Sequence, residues 1–246
     1  MLNTVLYDGP AGTPLLIAHG LFGSARNWNV IAKRLSETRP VVTVDMRNHG
    51  ASPWFDTQSY ADMAGDLAEV IDGQADVLGH SMGGKAAMVL ALQHPEKVRK
   101  LIVGDIAPVA YSHNQMGPIE AMRGVDLGAI SSRAEAQEQL TGLEAGVDTF
   151  LLQSLVLKEK KWKLNLDVLD AEMAKIVGFP EVSGTFDGPA LFLSGAKSVY
   201  VLPEYRPRIK ALFSKAKFAK IPDAGHWLHA EKPREFEAAV IAFLNM

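Results

Sequence analysis

The sequence predicts an α/β fold: a mostly parallel central sheet flanked by helices, with a helical insert after a strand that ends at Asp105. Three observations lead there. Short apolar runs alternate with longer amphipathic ones through the N-terminal part of the chain. From Ala107 to Ser183 that rhythm gives way to apolar residues at helical spacing. Strand-like runs then return before the C-terminus. Strand-helix alternation implies a sheet covered on both faces, with right-handed crossovers.

The elements follow in order. PLLIAHG (14–20) is a continuous apolar run and reads as a buried strand. NWNVIAKRLSE (27–37) has helical spacing, and VVTVDMR (41–47) is a β-branched strand. SYADMAGDLAEVIDG (59–73) reads as a helix capped by Ser59 and closed near Gly73. ADVLGHS (75–81) is a short strand, and MGGKAAMVLALQHP (82–95) a helix stopped by Pro95. VRKLIVGDI (98–106) is the next strand. The spacing then predicts helices in 115–123, 132–144, 147–157 and 166–177, with no strand among them. GPALFLSG (188–195) and KFAKIPDAG (217–225) restore the strands, and PREFEAAVIAFL (233–244) is a closing helix. Because sheet elements flank the insert on both sides, residues 1–106 and 184–246 are expected to form one core and 107–183 a helical cap. No internal repeat or low-complexity tract is present.

Composition narrows the function. The chain has 246 residues, 48% of them hydrophobic, which is enough for one large core. A net charge of −3 supplies no basic face, so neither nucleic acid nor membrane insertion is expected. The absence of cysteine excludes disulfide and thiolate chemistry. The start MLNTVLYDGP has neither a positive nor an apolar signal region, and no apolar run approaches the roughly 20 residues that span a bilayer. A soluble, cytoplasmic monomer or homodimer is expected. His and acidic residues do not cluster at metal-ligand spacing, so no metal or other cofactor is expected.

The stretch VLGHSMGGKA (77–86) carries the chemistry. It places Gly79 and Gly83 on either side of Ser81, between a strand and a helix. A sharp strand-to-helix turn crowds its neighbours, and glycine relieves the crowding while the serine hydroxyl is lifted above the strand end. The bland alternative is a glycine-rich turn with an inert serine. A serine hydroxyl attacks at neutral pH only with a base to take its proton and an acid to orient that base. Among seven histidines, His226 follows the last strand in PDAGHWLHA and is the expected base. His229 is the spare candidate, His80 is expected to point away from the serine, and His94 suits a helix end. His49 and His113 lie in loops that can line a pocket.

In chains built on such a turn the acid lies between serine and histidine. The strand after the insert reads LFLSGAKSVYV and offers Ser198 where an acid would be expected. Asp105, at the end of the strand beside the serine strand, is favoured; Asp167, Glu204 and Asp223 compete. Backbone N–H groups of Leu21, in HGLFGS, and Met82 are the expected oxyanion donors.

These stretches resemble the α/β-hydrolase superfamily over almost the whole chain, and more closely the YbfF esterase family and its eukaryotic relatives. The matching segments are HGLFGSARNW, VDMRNHGASP, GHSMGGKAAMVLAL, GDIAPV, WKLNLD, GPALFLSG and AGHWLHAEKP. Arg47-Asn48-His49-Gly50 sets the chain apart from the Arg-Gly-x-Gly common elsewhere in the superfamily, and Ser198-x-Tyr200-Val201 matches too. The resemblance implies an α/β-hydrolase fold with a helical cap. It implies Ser81 as nucleophile, Asp105 as acid and His226 as base. It also implies action on carboxylic esters, with acyl-CoA thioesters as further substrates.

Phe22 and Trp227, beside these residues, are expected in a substrate pocket; Trp28, Met116, Met122 and Trp162 are expected to pack cap on core. Asn48 and His49 are candidates for the pocket mouth. Lys85 is either a helix-surface lysine or a group that holds an anionic part of acyl-CoA. The expected function is a serine esterase acting on a small-molecule ester or thioester through an acyl-enzyme on Ser81. A lyase or C–C bond hydrolase on the same scaffold, or a low-turnover receptor, is the alternative.

Overall fold

The computed structural model describes residues 1–112 and 115–246; His113 lies outside the described residues. Seven strands form one sheet: Thr4–Tyr7 (β1), Leu15–Ala18 (β2), Val41–Val44 (β3), Ala75–His80 (β4), Val98–Gly104 (β5), and two later ones, Phe186–Gly195 (β8) and Phe213–Ile221 (β9). Their order is β1-β3-β2-β4-β5-β8-β9, with β1 antiparallel to β3 and every other pairing parallel. The mostly parallel sheet matches the fold class read from the sequence. Strands β2 and β4 are buried along their whole length, which is why they read as unbroken apolar runs.

The sequence pattern did not disclose β1. Its TVLY run is largely exposed, so no buried face imprints an alternation, and only the ladder to β3 defines it. Two apolar layers cover the sheet. On one face Asn29–Leu35 (α1) and Pro233–Leu244 (α11) pack with Trp28, Phe236 and Val240. On the other, Tyr60–Val70 (α2) and Met82–Gln93 (α3) pack with the residues that follow β5. Ser59 caps α2 as expected, accepting from the Asp62 N–H.

Between β5 and β8 lie Met116–Gly124 (α4), Arg133–Gln139 (α5), Val147–Leu151 (α6), Leu166–Ala171 (α7) and Met173–Val177 (α8). Two expectations are corrected here. The helix read across 147–157 ends at Leu151, and the chain enters a two-residue hairpin of Leu155–Val156 (β6) and Lys161–Trp162 (β7). Leu155 pairs directly with Trp162, so a cross-strand contact overrides helical spacing. The helix read across 166–177 is two helices that meet at Glu172. Two short helices complete the fold, Arg206–Leu212 (α9) and Leu228–Glu231 (α10). No described helix is long and apolar enough to cross a membrane.

The insert is fastened to the sheet layer by polar contacts. The Tyr60 hydroxyl donates to the Ile176 carbonyl at 2.5 Å, and Lys85 Nζ donates to the Val177 carbonyl at 2.8 Å and to that of Gly178. These carbonyls end α8, where a helix has acceptors without intrahelical partners. Tyr60→Phe is expected to lower unfolding free energy by about 1–2 kcal/mol, since it strips a donor from a buried carbonyl; urea denaturation measures the change.

Candidate active site

The turn after β4 is built by backbone contact. A Cβ on Gly79 would lie 2.1 Å from the Gly83 carbonyl oxygen, and one on Gly83 would lie 2.4 Å from that of His19. Nothing larger than glycine fits either place without moving backbone. Ser81 adopts φ 52° and ψ −119°, a conformation that costs an L-residue of order 1–3 kcal/mol. The sheet enforces it: the Ser81 N–H donates to the Gly104 carbonyl at 3.0 Å, and Lys85 N–H closes the first helical bond to the Ser81 carbonyl. Phe22, Asn48 and Asp105 also have positive φ, as do Lys160 in the β6–β7 turn and Asp223 ahead of His226.

Three distant side chains meet there. His226 Nε2 lies 3.1 Å from Ser81 Oγ, and His226 Nδ1 lies 2.8 Å from Asp105 Oδ2. Asp105 is fully buried and directly follows β5, with its N–H bonded to the Leu193 carbonyl of β8. Its Oδ1 accepts from the Gly195 N–H at 3.0 Å, and its Oδ2 also accepts from the Ser198 hydroxyl. The position where an acid was expected thus holds a donor to the acid one strand closer. With Asp105 Oδ2 as acceptor, Nδ1 carries the proton and Nε2 faces Ser81 as an acceptor. Of the competing acids, Asp167 pairs with Arg123 and Asp223 lies near Lys197, both at the surface, and Glu204 stands in a short turn.

Sequence reasoning missed the residues that hold His226. Tyr200 stacks on its ring, with centroids 4.1 Å apart and planes 28° apart, while the Tyr200 N–H donates to Ser198 Oγ. His80 Nε2 donates to the His226 carbonyl at 2.8 Å, so His80 braces the loop of His226. His229, the spare candidate, stacks on Trp28 at 4.5 Å and contacts the His80 ring instead. No local pattern marks these pairings, because they join the ends of separate strands.

The loops opposite are held by two more imidazoles. His19 Nε2 accepts from the Met46 N–H at 2.9 Å, and His49 Nε2 accepts from the Phe22 N–H at 3.2 Å. Asp45 accepts from the Ala25 and Ala51 N–H groups, tying the loop after β2 to the loop after β3. Asn48 and His49 are therefore fully buried braces and line no part of the cavity described below, contrary to the pocket-mouth reading. Asn48 instead donates to Gln58 and accepts from the Phe55 N–H.

A cavity of about 560 Å³ opens over Ser81. Phe22 and Trp227 line it as expected, with Phe150 of α6 set edge-on to Trp227 at 4.3 Å. Leu21 and Met82 line it too, and no protein acceptor takes their N–H groups among the described residues. Met122 and Trp162 pack together inside the insert, where the indole N–H donates to the Met122 carbonyl. Trp28, read as packing, does both: it is buried and borders the cavity. Lys85 is 1% exposed and lines the cavity, so its reading as a surface lysine is corrected. A signal was available: α3 is apolar almost all round, and a helix with no polar face leaves a lysine no solvent side.

The profile of the alpha/beta hydrolase family matches residues 15–239. The chain belongs to that family. It is 42% identical to the mouse (Mus musculus) sn-1-specific diacylglycerol lipase ABHD11 over 260 residues, covering 99% of this chain and 85% of the relative. It is 39% identical to Esterase YbfF of Escherichia coli K12, covering 95% of this chain and 93% of the relative. Among solved structures, a marine microorganism esterase superposes with a TM-score of 0.93 at 39% identity, over 98% of each chain. The resemblance read from the sequence is thus to a family to which this hydrolase does belong.

Burial lowers the pKa of His49 and of His229 to about 3, and both stay neutral in the folded hydrolase. The unfolded chain takes up those protons near pH 6.5, so it binds more protons than the folded state between about 6.5 and 3. Stability from these groups is complete above that window and falls as the pH drops through it, by about 1.4 kcal/mol per pH unit for each histidine. His229→Phe keeps the stack on Trp28 and removes a buried Nδ1 that has no hydrogen-bond partner among the described residues. Denaturant titrations from pH 6 to 4 are expected to show a slope about 1.4 kcal/mol per pH unit shallower in that variant.

Proposed function

We propose that this hydrolase cleaves carboxylic esters of small molecules through an acyl-enzyme on Ser81. The observation that carries the reading is the unbroken series from Ser81 Oγ through His226 to the buried Asp105, beneath a mostly apolar cavity. His226 Nε2 takes the hydroxyl proton as Oγ bonds to the ester carbonyl carbon. Asp105 keeps the imidazole in the required tautomer and stabilises its positive form. The Leu21 and Met82 N–H groups hold the oxyanion, a contribution of several kcal/mol. His226 then gives its proton to the leaving alcohol. Water enters, loses a proton to the same nitrogen and releases the acid, restoring Ser81.

In this reading residues 107–183 act as a cap that closes the cavity, with Phe22 and Trp227 against the substrate. Acyl-CoA thioesters meet the same chemistry, because only the leaving group differs. Glyceride esters, the substrates in the name of the mouse relative, fall in the same class. The size of the cavity, about 560 Å³, lies in the range of ordinary ligand sites.

Turnover of 4-nitrophenyl butanoate is expected to fall at least about 10³-fold in Ser81→Ala and by about 10³–10⁴-fold in Asp105→Asn. Wild type alone should be labelled by a fluorophosphonate at Ser81 and should hold a trapped acyl group. Full turnover in Ser81→Ala, or C–C cleavage without any acyl-Ser81, would sink the proposal.

A further inference from the structure

Lys85 has no part in the steps above, yet it occupies the wall of the same cavity. Its side chain is buried, and no carboxylate pairs with it among the described residues. Its neighbours are the Val177 and Gly178 carbonyls at the end of α8, with the Tyr111 ring 4.7 Å and the Tyr60 ring 5.8 Å from Nζ. These are partial charges and aromatic faces, and none carries a full negative charge. An ammonium has three N–H donors, and the two carbonyls take two of them. A buried cation without a counter-ion is costly to keep, and its pKa is drawn down to about 7 by that burial.

Position makes this lysine relevant to a substrate. Ser81 is the N-cap of α3, and Lys85 stands one turn further along. Ser81 and Lys85 line one and the same cavity, with the lysine ammonium seated at the end of α8.

We propose that the cavity selects esters carrying a carboxylate a few carbons from the scissile bond, and that Lys85 is the residue that binds that carboxylate. The substrate supplies the counter-ion that the protein withholds. A neutral chain of equal length would leave the ammonium without it. The proposal rests on the ester-hydrolase reading for its turnover arm only.

The test pairs esters of equal length. Mono(4-nitrophenyl) glutarate against 4-nitrophenyl pentanoate places the anion on the acyl side. The butanoyl ester of 4-hydroxybenzoate against that of its methyl ester places it on the alcohol side. Wild type is expected to favour the anionic member of one pair at least about 10-fold in kcat/KM, and the favoured pair identifies the side. In Lys85→Met and Lys85→Gln that ratio is expected to fall to one or below. Gln keeps N–H donors for the α8 carbonyls, so a collapse in both variants points to the charge rather than to the fastening of the insert. Calorimetry supplies an arm without turnover: wild type binds free glutarate at least about 10-fold more tightly than pentanoate, and the variants lose that preference. Equal or neutral-favouring ratios in both ester pairs, equal binding of the two acids, or a preference that survives in both variants would overturn the proposal. If no ester is turned over but glutarate binding still depends on Lys85, the ester reading fails and the anion site stands.

Discussion

Close approach of backbone to backbone after β4 governs everything above it. With no side chain at 79 or 83, the Gly83 carbonyl passes within 2.1 Å of where a Gly79 Cβ would be. The chain can then turn from strand to helix within a single residue. That residue is Ser81, left in a conformation that open solvent would not hold. The bond from its N–H to the Gly104 carbonyl makes the neighbouring strand a partner in the strain. Moving Ser81 would therefore mean moving β5, and β5 leads straight into Asp105.

The same ladder explains why the acid can sit so early in the chain. Asp105 follows β5, which lies between β4 and β8 in the sheet. From there its carboxylate reaches the His226 ring, although the two residues are 121 apart in sequence. The strand end one place further out contributes Ser198 and the Gly195 N–H, both donors to that carboxylate. A second acid at 198 would instead set two negative charges against each other in a buried space. Four further histidines, at 19, 49, 80 and 229, surround the site as buried neutral groups. Burial lowers the pKa of each, so they act as fixed donors and acceptors without adding charge beside Asp105 and His226.

What the sequence disclosed follows from how local each signal is. The Gly-x-Ser-x-Gly turn, the strand that ends at Asp105 and the glycine-flanked His226 are each marked by their own neighbours. Adjacent strands in an alternating pattern also made it possible to favour Asp105 over Asp167. The residues that escaped notice work across long separations. Tyr200 matters because it stacks on His226, and His80 because it holds the carbonyl of that residue. The loop pattern around His49 suggested a pocket, whereas its Nε2 is committed to the Phe22 N–H. Strand β1 and the β6-β7 hairpin escaped for a related reason: cross-strand pairing forms them, and short half-exposed runs record little of it.

Lys85 shows how the insert changes the meaning of the core beneath it. Lys85, one turn beyond Ser81, is buried. The end of α8 lies over it and supplies carbonyls, while α2 supplies Tyr60 to the same helix end. Ser81, Asp105 and His226 all stand at strand ends or in the loops that follow, and none is borrowed from the insert. The sheet and its loops thus hold these three side chains, and the insert adds residues such as Val147, Phe150 and Ile176 to a cavity wall that the core also builds. Changes in the insert can alter which molecules fit while Ser81, His226 and Asp105 keep their distances. Lys85 is one point where the two parts meet, since it grows from the helix that begins at Ser81 and ends against the insert.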